Sequence, residues 1–334
     1  MSNPSRKPQM PGLLTLVDDP WGIGWRTANA IRRQSLKRSW RWLRAWLQND
    51  HLKRPIFVFG VPRSGTTSVF HLLRSLPTLG SLPGEGHDVW RLLHHPRFSD
   101  WRSDGLGPGQ VRWGERRLIH ARFRVDISCL RLVEKTPESS LRIPYLLDLF
   151  PDAHFVAVHR NPVAVVRSLI RCWRHPEGRF RSYYVPEKLA IPGYPHRRLW
   201  CFALVDGWRG LRTSPVPEIA FEQWRQCGEG IVEGRRRVAA QQWTEVWLED
   251  LLANPQRVLS DLDDELGLQA GGGWLEAAQD LLARPLNVSE PIAEEATSLD
   301  IENELRPLLS QMLPLARQLG YSVDVETGEA ARLQ

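Results

Sequence analysis

Four groups of residues in this chain have types and spacings suited to holding anions and moving a hydroxyl proton. The first is GVPRSGTT, Gly60 to Thr67, in which Gly60 and Gly65 stand five apart. A short apolar run, Ile56 to Phe59, precedes it, and Val69, Phe70, Leu72, Leu73 and Leu76 follow at helical spacing. A strand, a glycine-bounded turn and a helix in that order make a phosphate cradle, because a helix N-terminus offers unpaired N–H groups and about half a positive charge. The glycine spacing is that of the nucleotide loop GxxxxGK[ST], yet Thr66 stands where that loop carries lysine. Triphosphate chemistry needs that cation on the β and γ phosphates. The loop is therefore expected to hold a phosphate without hydrolysing a nucleoside triphosphate.

The second group is EKTP, Glu134 to Pro137, after a strand read at Leu130 to Val133. A lysine at such a strand end, Lys135, lies on the edge where open α/β sheets bind ligands. The third is HRNPVAVVRSL, His159 to Leu169, where Asn161 suits an N-cap and Pro162 the first helical position. Ser168 lies two turns along from Asn161 on the same face, so Arg160 and Ser168 together suit one phosphate. With the first loop they form a two-point clamp for a nucleotide phosphorylated at both ends. The fourth, SLPGEGHDVW, puts Glu85, His87 and Asp88 in a turn-rich stretch beyond the loop helix, where acid and base groups are commonly placed.

Positioning these groups requires a sheet. The apolar runs at Ile56–Phe59 and Phe155–Val158, each followed by a helical segment, with a return to the sheet at Trp243–Leu248, predict an α/β domain with a central parallel sheet. At 334 residues there is room for one large domain with insertions. Residues 51–325 are read as that domain, 174–240 as an aromatic and basic insertion or lid on the acceptor side, and 326–334 as a tail. Residues 1–50 are a helical N-terminal extension. Between Trp21 and Asn49 arginines alternate with tryptophans and no acid occurs, a pattern that fits either peripheral contact with an anionic membrane or packing on the domain.

A net charge of +6 and a pI near 9.4 fit anionic partners. No nucleic-acid-binding pattern is present, so no nucleic-acid partner is expected. The four cysteines form no CxxC, and no His/Asp/Cys ligand cluster stands out, so no metal is expected. The N-terminal stretch lacks a signal-peptide core and no run approaches the length of a membrane span, so a cytoplasmic location is expected.

PRSGTT (Pro62–Thr67), EKTP (Glu134–Pro137), LFPDAHFVAVHRNPVAVVRSL (Leu149–Leu169) and LEDLLANP (Leu248–Pro255) resemble, in order and spacing, the sulfotransferases that use PAPS (3′-phosphoadenosine 5′-phosphosulfate). The likeness is to the bacterial and tyrosylprotein-type branch. It implies a three-layer P-loop-like fold, PAPS as donor and PAP (3′,5′-adenosine bisphosphate) as product. It further implies that Arg63, Ser64, Gly65, Thr66 and Thr67 bind the 5′-phosphosulfate, that Arg160 and Ser168 bind the 3′-phosphate, and that Lys135 sits near the bridging oxygen. Glu85 is implied as the base on the acceptor, with His87 as its rival. The acceptor is expected to be a hydroxyl of a carbohydrate or glycolipid. Two alternatives stay open: a P-loop kinase with a degenerate loop, and a nucleotide-binding module without catalysis.

Overall fold

The computed structural model describes residues 51–127, 129, 131–175, 180–282 and 294–333, together with 43 and 47. Its strands run β1 (Ile56–Gly60), β2 (Val133–Lys135), β3 (His154–His159), β4 (Arg181–Tyr184), β5 (Leu199–Cys201), β6 (Trp243–Trp247), β7 (Tyr321–Val323) and β8 (Ala330–Arg332). Four of them form one parallel sheet in the order β2-β1-β3-β6. Alternation along β1 and β3 divides the apolar residues between two faces. Phe57, Phe59, Phe155 and Ala157 enter one core and Ile56, Val58, Val156 and Val158 another, all almost wholly buried. Burial on both faces is why these strands read as unbroken apolar runs.

Helices cover both faces, giving three layers. On the first lie α2 (His87–His94), α3 (Glu115–Asp126), α4 (Ile143–Leu149), α5 (Pro162–Trp173), α6 (Val216–Arg237) and α10 (Glu294–Gln318). On the second lie α1 (Thr66–Arg74), α7 (Leu248–Ala253), α8 (Pro255–Leu266) and α9 (Gly272–Leu282). The register pairs Val58 with Lys135, Gly60 with Val158 and His159 with Trp247, so the C-terminal strand ends, with the residues that follow them, form one edge. Asn161 caps α5 by accepting from the Ala164 N–H at 3.0 Å, and Asn254 caps α8 by accepting from the Arg257 N–H at 3.3 Å.

Several expectations shift in detail. The strand read at 130–133 is centred on Glu134, so Lys135 belongs to the strand and is buried. Residues 137–149 form a 3-10 turn, Pro137–Leu141, and then α4; Pro144 supplies no N–H to continue the first into the second. Within 174–240, residues 216–237 form a core helix, since Ile219, Trp224, Cys227 and Ile231 are buried and the basic residues gather at its last turn. The rest of 174–240 centres on the β4–β5 hairpin and its flanks. Residues 326–334, read as a tail, supply β8, which pairs with β7. The N-terminal basic stretch lies outside the described residues apart from Leu43 and Leu47. Among the described residues no helix is long and apolar enough to cross a membrane.

Candidate active site

β1 ends at Gly60, where the chain turns. A Cβ there would lie 2.4 Å from both the Ser64 Oγ and the Val158 carbonyl oxygen, so only glycine lets the loop pass this close to β3. Arg63 (φ 78°) and Gly65 (φ 93°) both adopt left-handed backbone. For Arg63 this is a strained conformation that the surrounding loop must enforce. The loop closes through the Ser64 N–H donating to the Val61 carbonyl at 3.0 Å, and α1 begins at Thr66 with no side-chain cap and no acidic residue in its first turn. The buried Ser64 Oγ has no hydrogen-bond partner among the described residues. An uncapped helix start beside an orphaned hydroxyl is a ready anion site.

Cations gather at this loop. The Arg63 Nε donates to the Ser168 Oγ on α5 at 3.0 Å, and the Arg160 Nη1 donates to the Arg63 carbonyl at 3.1 Å. The structure thus brings Arg63, Arg160 and Ser168 into one contact group. Burial, partly offset by Glu249, and then the charge of Arg63 lower the Arg160 pKa. Two guanidinium groups held this close favour an anion between or beside them. Glu249 accepts from the Asn161 N–H at 2.7 Å and from the Tyr321 hydroxyl at 2.8 Å, tying β7 to the start of α5.

Lys135 lies on β2, next to β1. Its ammonium donates to Glu85 Oε1 in a short ion pair, and His87 Nε2 meets Glu85 Oε2 at 2.6 Å. Glu85 is about one-third exposed, while Lys135 is nearly covered. Burial by itself would raise the Glu85 pKa; the hydrogen bond with His87 and the charge of Lys135 outweigh it and hold the carboxyl down to about 2. The loop carrying Glu85 is pinned from below. The Gly86 N–H donates to Glu134 Oε1 at 3.1 Å and to the Thr136 Oγ1 at 3.0 Å. The rest of EKTP thus fixes the segment that presents Glu85.

Beyond His87 the polar contacts continue inward. His87 Nδ1 lies 3.5 Å from the buried Glu138, Arg91 lies 3.7 Å from Glu138, and the Arg91 Nε donates to the Tyr183 hydroxyl at 3.1 Å. Tyr183, on β4, in turn donates to the buried Asp104. Glu138 and Arg91 escape a reading of the sequence alone. Arg91 follows His87 at the i+4 spacing of one helix face, which is the only local sign of the link. The β4–β5 hairpin also reaches the loop: Phe180 lies under the Arg63 guanidinium at 5.2 Å and stacks on Phe202 at 5.5 Å.

A parallel sheet whose first strand feeds an anion-cradling loop, with cations on the neighbouring strand ends, defines a P-loop-like α/β protein. Residues 89–191 match the model described as Sulfotransferase family. The nodulation protein NoeE of Sinorhizobium fredii (strain NBRC 101917 / NGR234) is 30% identical over 139 residues, which span 36% of this chain and 32% of NoeE. Among solved structures, sulfotransferase STF9 from Mycobacterium avium matches with a TM-score of 0.51 at 16% identity, over 80% of this chain and 78% of that one. Sulfotransferase STF1 from Mycobacterium tuberculosis H37Rv matches with a TM-score of 0.46 at 17% identity, over 89% and 86% of the two chains. Over residues 89–191 the chain is similar to sulfotransferases, and it spans about a third of the length of NoeE.

Proposed function

We propose that the protein is a PAPS-dependent sulfotransferase acting on a hydroxyl of a carbohydrate or glycolipid. The observation that carries this reading is the uncapped, arginine-lined loop at Gly60–Thr67 on the same sheet edge as the Lys135–Glu85 ion pair. Bound PAPS would supply the sulfuryl group that passes to the acceptor oxygen.

The loop residues Arg63, Ser64, Gly65, Thr66 and Thr67 hold the phosphosulfate end, using backbone N–H groups of α1, the Ser64 hydroxyl and the Arg63 charge. Arg160 and Ser168 hold the 3′-phosphate. Such fixed donors are worth most where negative charge builds up during transfer. Lys135 neutralises charge on the oxygen that leaves. Glu85 accepts the acceptor's proton, and its depressed pKa keeps it ionised at neutral pH. Before the donor arrives Lys135 is engaged with Glu85, so an anion that draws Lys135 away both places the cation and makes the carboxylate more basic. The Phe180–Phe202 pair, and Tyr184 with Arg198 at 5.7 Å from its ring, offer aromatic faces and cations of the kind that suit sugars.

The test is a screen with radiolabelled PAPS against hydroxylated sugars, glycolipids, phenols and peptides, run beside an ATP control. Transfer to a sugar hydroxyl is expected. Phosphate transfer from ATP, or PAP binding without turnover on any acceptor, overturns the reading.

A further inference from the structure

The imidazole of His87 stands between two carboxylates. Its Nε2 meets Glu85 at 2.6 Å and its Nδ1 faces Glu138 at 3.5 Å. A neutral imidazole has one N–H and one lone pair, so one of its nitrogens would turn a lone pair toward a carboxylate. Only the doubly protonated ring suits both neighbours. Glu138 is 2% exposed, and its Oε2 has no hydrogen-bond partner among the described residues. A buried carboxylate is costly unless charge compensates it, and what faces it here is His87 and, at 3.7 Å, Arg91.

We propose that Glu138 and His87 form a positioning pair for Glu85, in which His87 works as a fixed imidazolium and not as the catalytic base. The proposal rests on Glu85 being the base of the sulfotransferase reading. His87 also has Arg91 on its own helix and Glu134 on β2 around it, and its partner Glu85 pairs with Lys135 through the other oxygen. Arg91 disfavours the imidazolium, while Glu138 and Glu85 favour it. Burial alone would lower the His87 pKa, and the two carboxylates more than reverse this.

The pair gives Glu85 two things. One oxygen is aimed by the ring, which leaves the carboxylate to Lys135 and the acceptor. The adjacent positive charge keeps Glu85 ionised well below neutral pH. Through Arg91 and Tyr183 the same chain of contacts reaches the β4–β5 hairpin, so the hairpin and the base share a support.

The experiment is a pH titration of the full chain with ring-15N histidine, using His87→Gln to assign the His87 signals. In the wild type, both ring nitrogens are expected to carry protons at pH 7. Glu138→Gln should lower the His87 midpoint by about one pH unit, a tenfold loss of proton affinity, and Glu138→Asp should restore part of it. Glu85→Gln, at a site about one-third exposed, should lower it as well. A His87 that is neutral at pH 7 in the wild type, or a midpoint unmoved by both glutamine variants, overturns the proposal. With the acceptor that the screen identifies, His87→Gln should move the acid limb of kcat/KM upward while the melting shift with PAP stays the same. An unchanged acid limb also overturns the pair. Failure of the wild type to bind PAP would defeat the sulfotransferase reading and leave the His87 titration to judge the pair independently.

Discussion

The backbone turn at Gly60–Thr67 is closed by near neighbours in the chain, whereas the loop that carries Glu85 is held by residues far from it in sequence. Ser64 bonds to Val61, and Ser68 to Gly65. Gly86 is pinned by Glu134 and Thr136, 48 and 50 positions away, and Glu85 pairs with Lys135 at a separation of 50. The first arrangement is a backbone cradle of the kind that suits a phosphate group. The second is an assembly of side chains whose geometry depends on the whole first face of the sheet. Donor recognition should thus resist remote substitutions, and the acceptor chemistry should be sensitive to them.

The strongest break in this comparison is expected at Glu85. Glu85→Gln should cut turnover by about a hundredfold or more, as for loss of a general base, while PAP binding is retained. Steady-state rates with titration of PAP separate the two effects. On the donor side Arg63→Ala should weaken PAP binding roughly tenfold to a hundredfold, in line with a lost hydrogen bond to a charged group. Arg160→Ala should also weaken it, roughly tenfold, and leave the Glu85 chemistry intact; isothermal titration calorimetry measures both.

The Gly60–Thr67 loop and the start of α5 were legible because their signals are local: two glycines at fixed spacing, an apolar run before them, and Asn161 and Pro162 opening a helix. The central parallel sheet followed from the same apolar runs, while the order of its strands did not. The support of Glu85 was not legible. Glu138 and Arg91 look like surface charges in the sequence, and only the fold brings them under His87. For the same reason α2 was lost among glycines and histidines, and the core helix 216–237 passed for part of an insertion, its buried stripe being interrupted by Gly228, Gly230 and Gly234 and ending in three arginines. Those glycines answer to packing: a Cβ at Gly230 would lie 2.2 Å from the Ser140 carbonyl oxygen.

Smaller effects sharpen the contrast. Phe180→Ala should raise the acceptor KM severalfold, the scale of a lost aromatic contact, with little change in PAP affinity. A pH dependence of stability should appear on the face that supports Glu85. Burial, followed by neighbouring positive charges, lowers His95 to about 4, and burial with the charge of His51 lowers His120 to about 4. Both are neutral in the folded chain and take up protons on unfolding once the pH is below about 6.5. The stability they contribute is therefore present at neutral pH and lost as the pH falls from about 6.5 toward 4. Thermal melts across that range should show the loss, and His95→Gln should flatten the slope.

The most direct test of the two-point clamp is the melting shift produced by PAP and by ATP at equal concentration. A clear stabilisation by PAP, little by ATP, and loss of the PAP effect in both Arg63→Ala and Arg160→Ala are expected. Equal stabilisation by the two nucleotides, or a PAP effect that survives both substitutions, would contradict it.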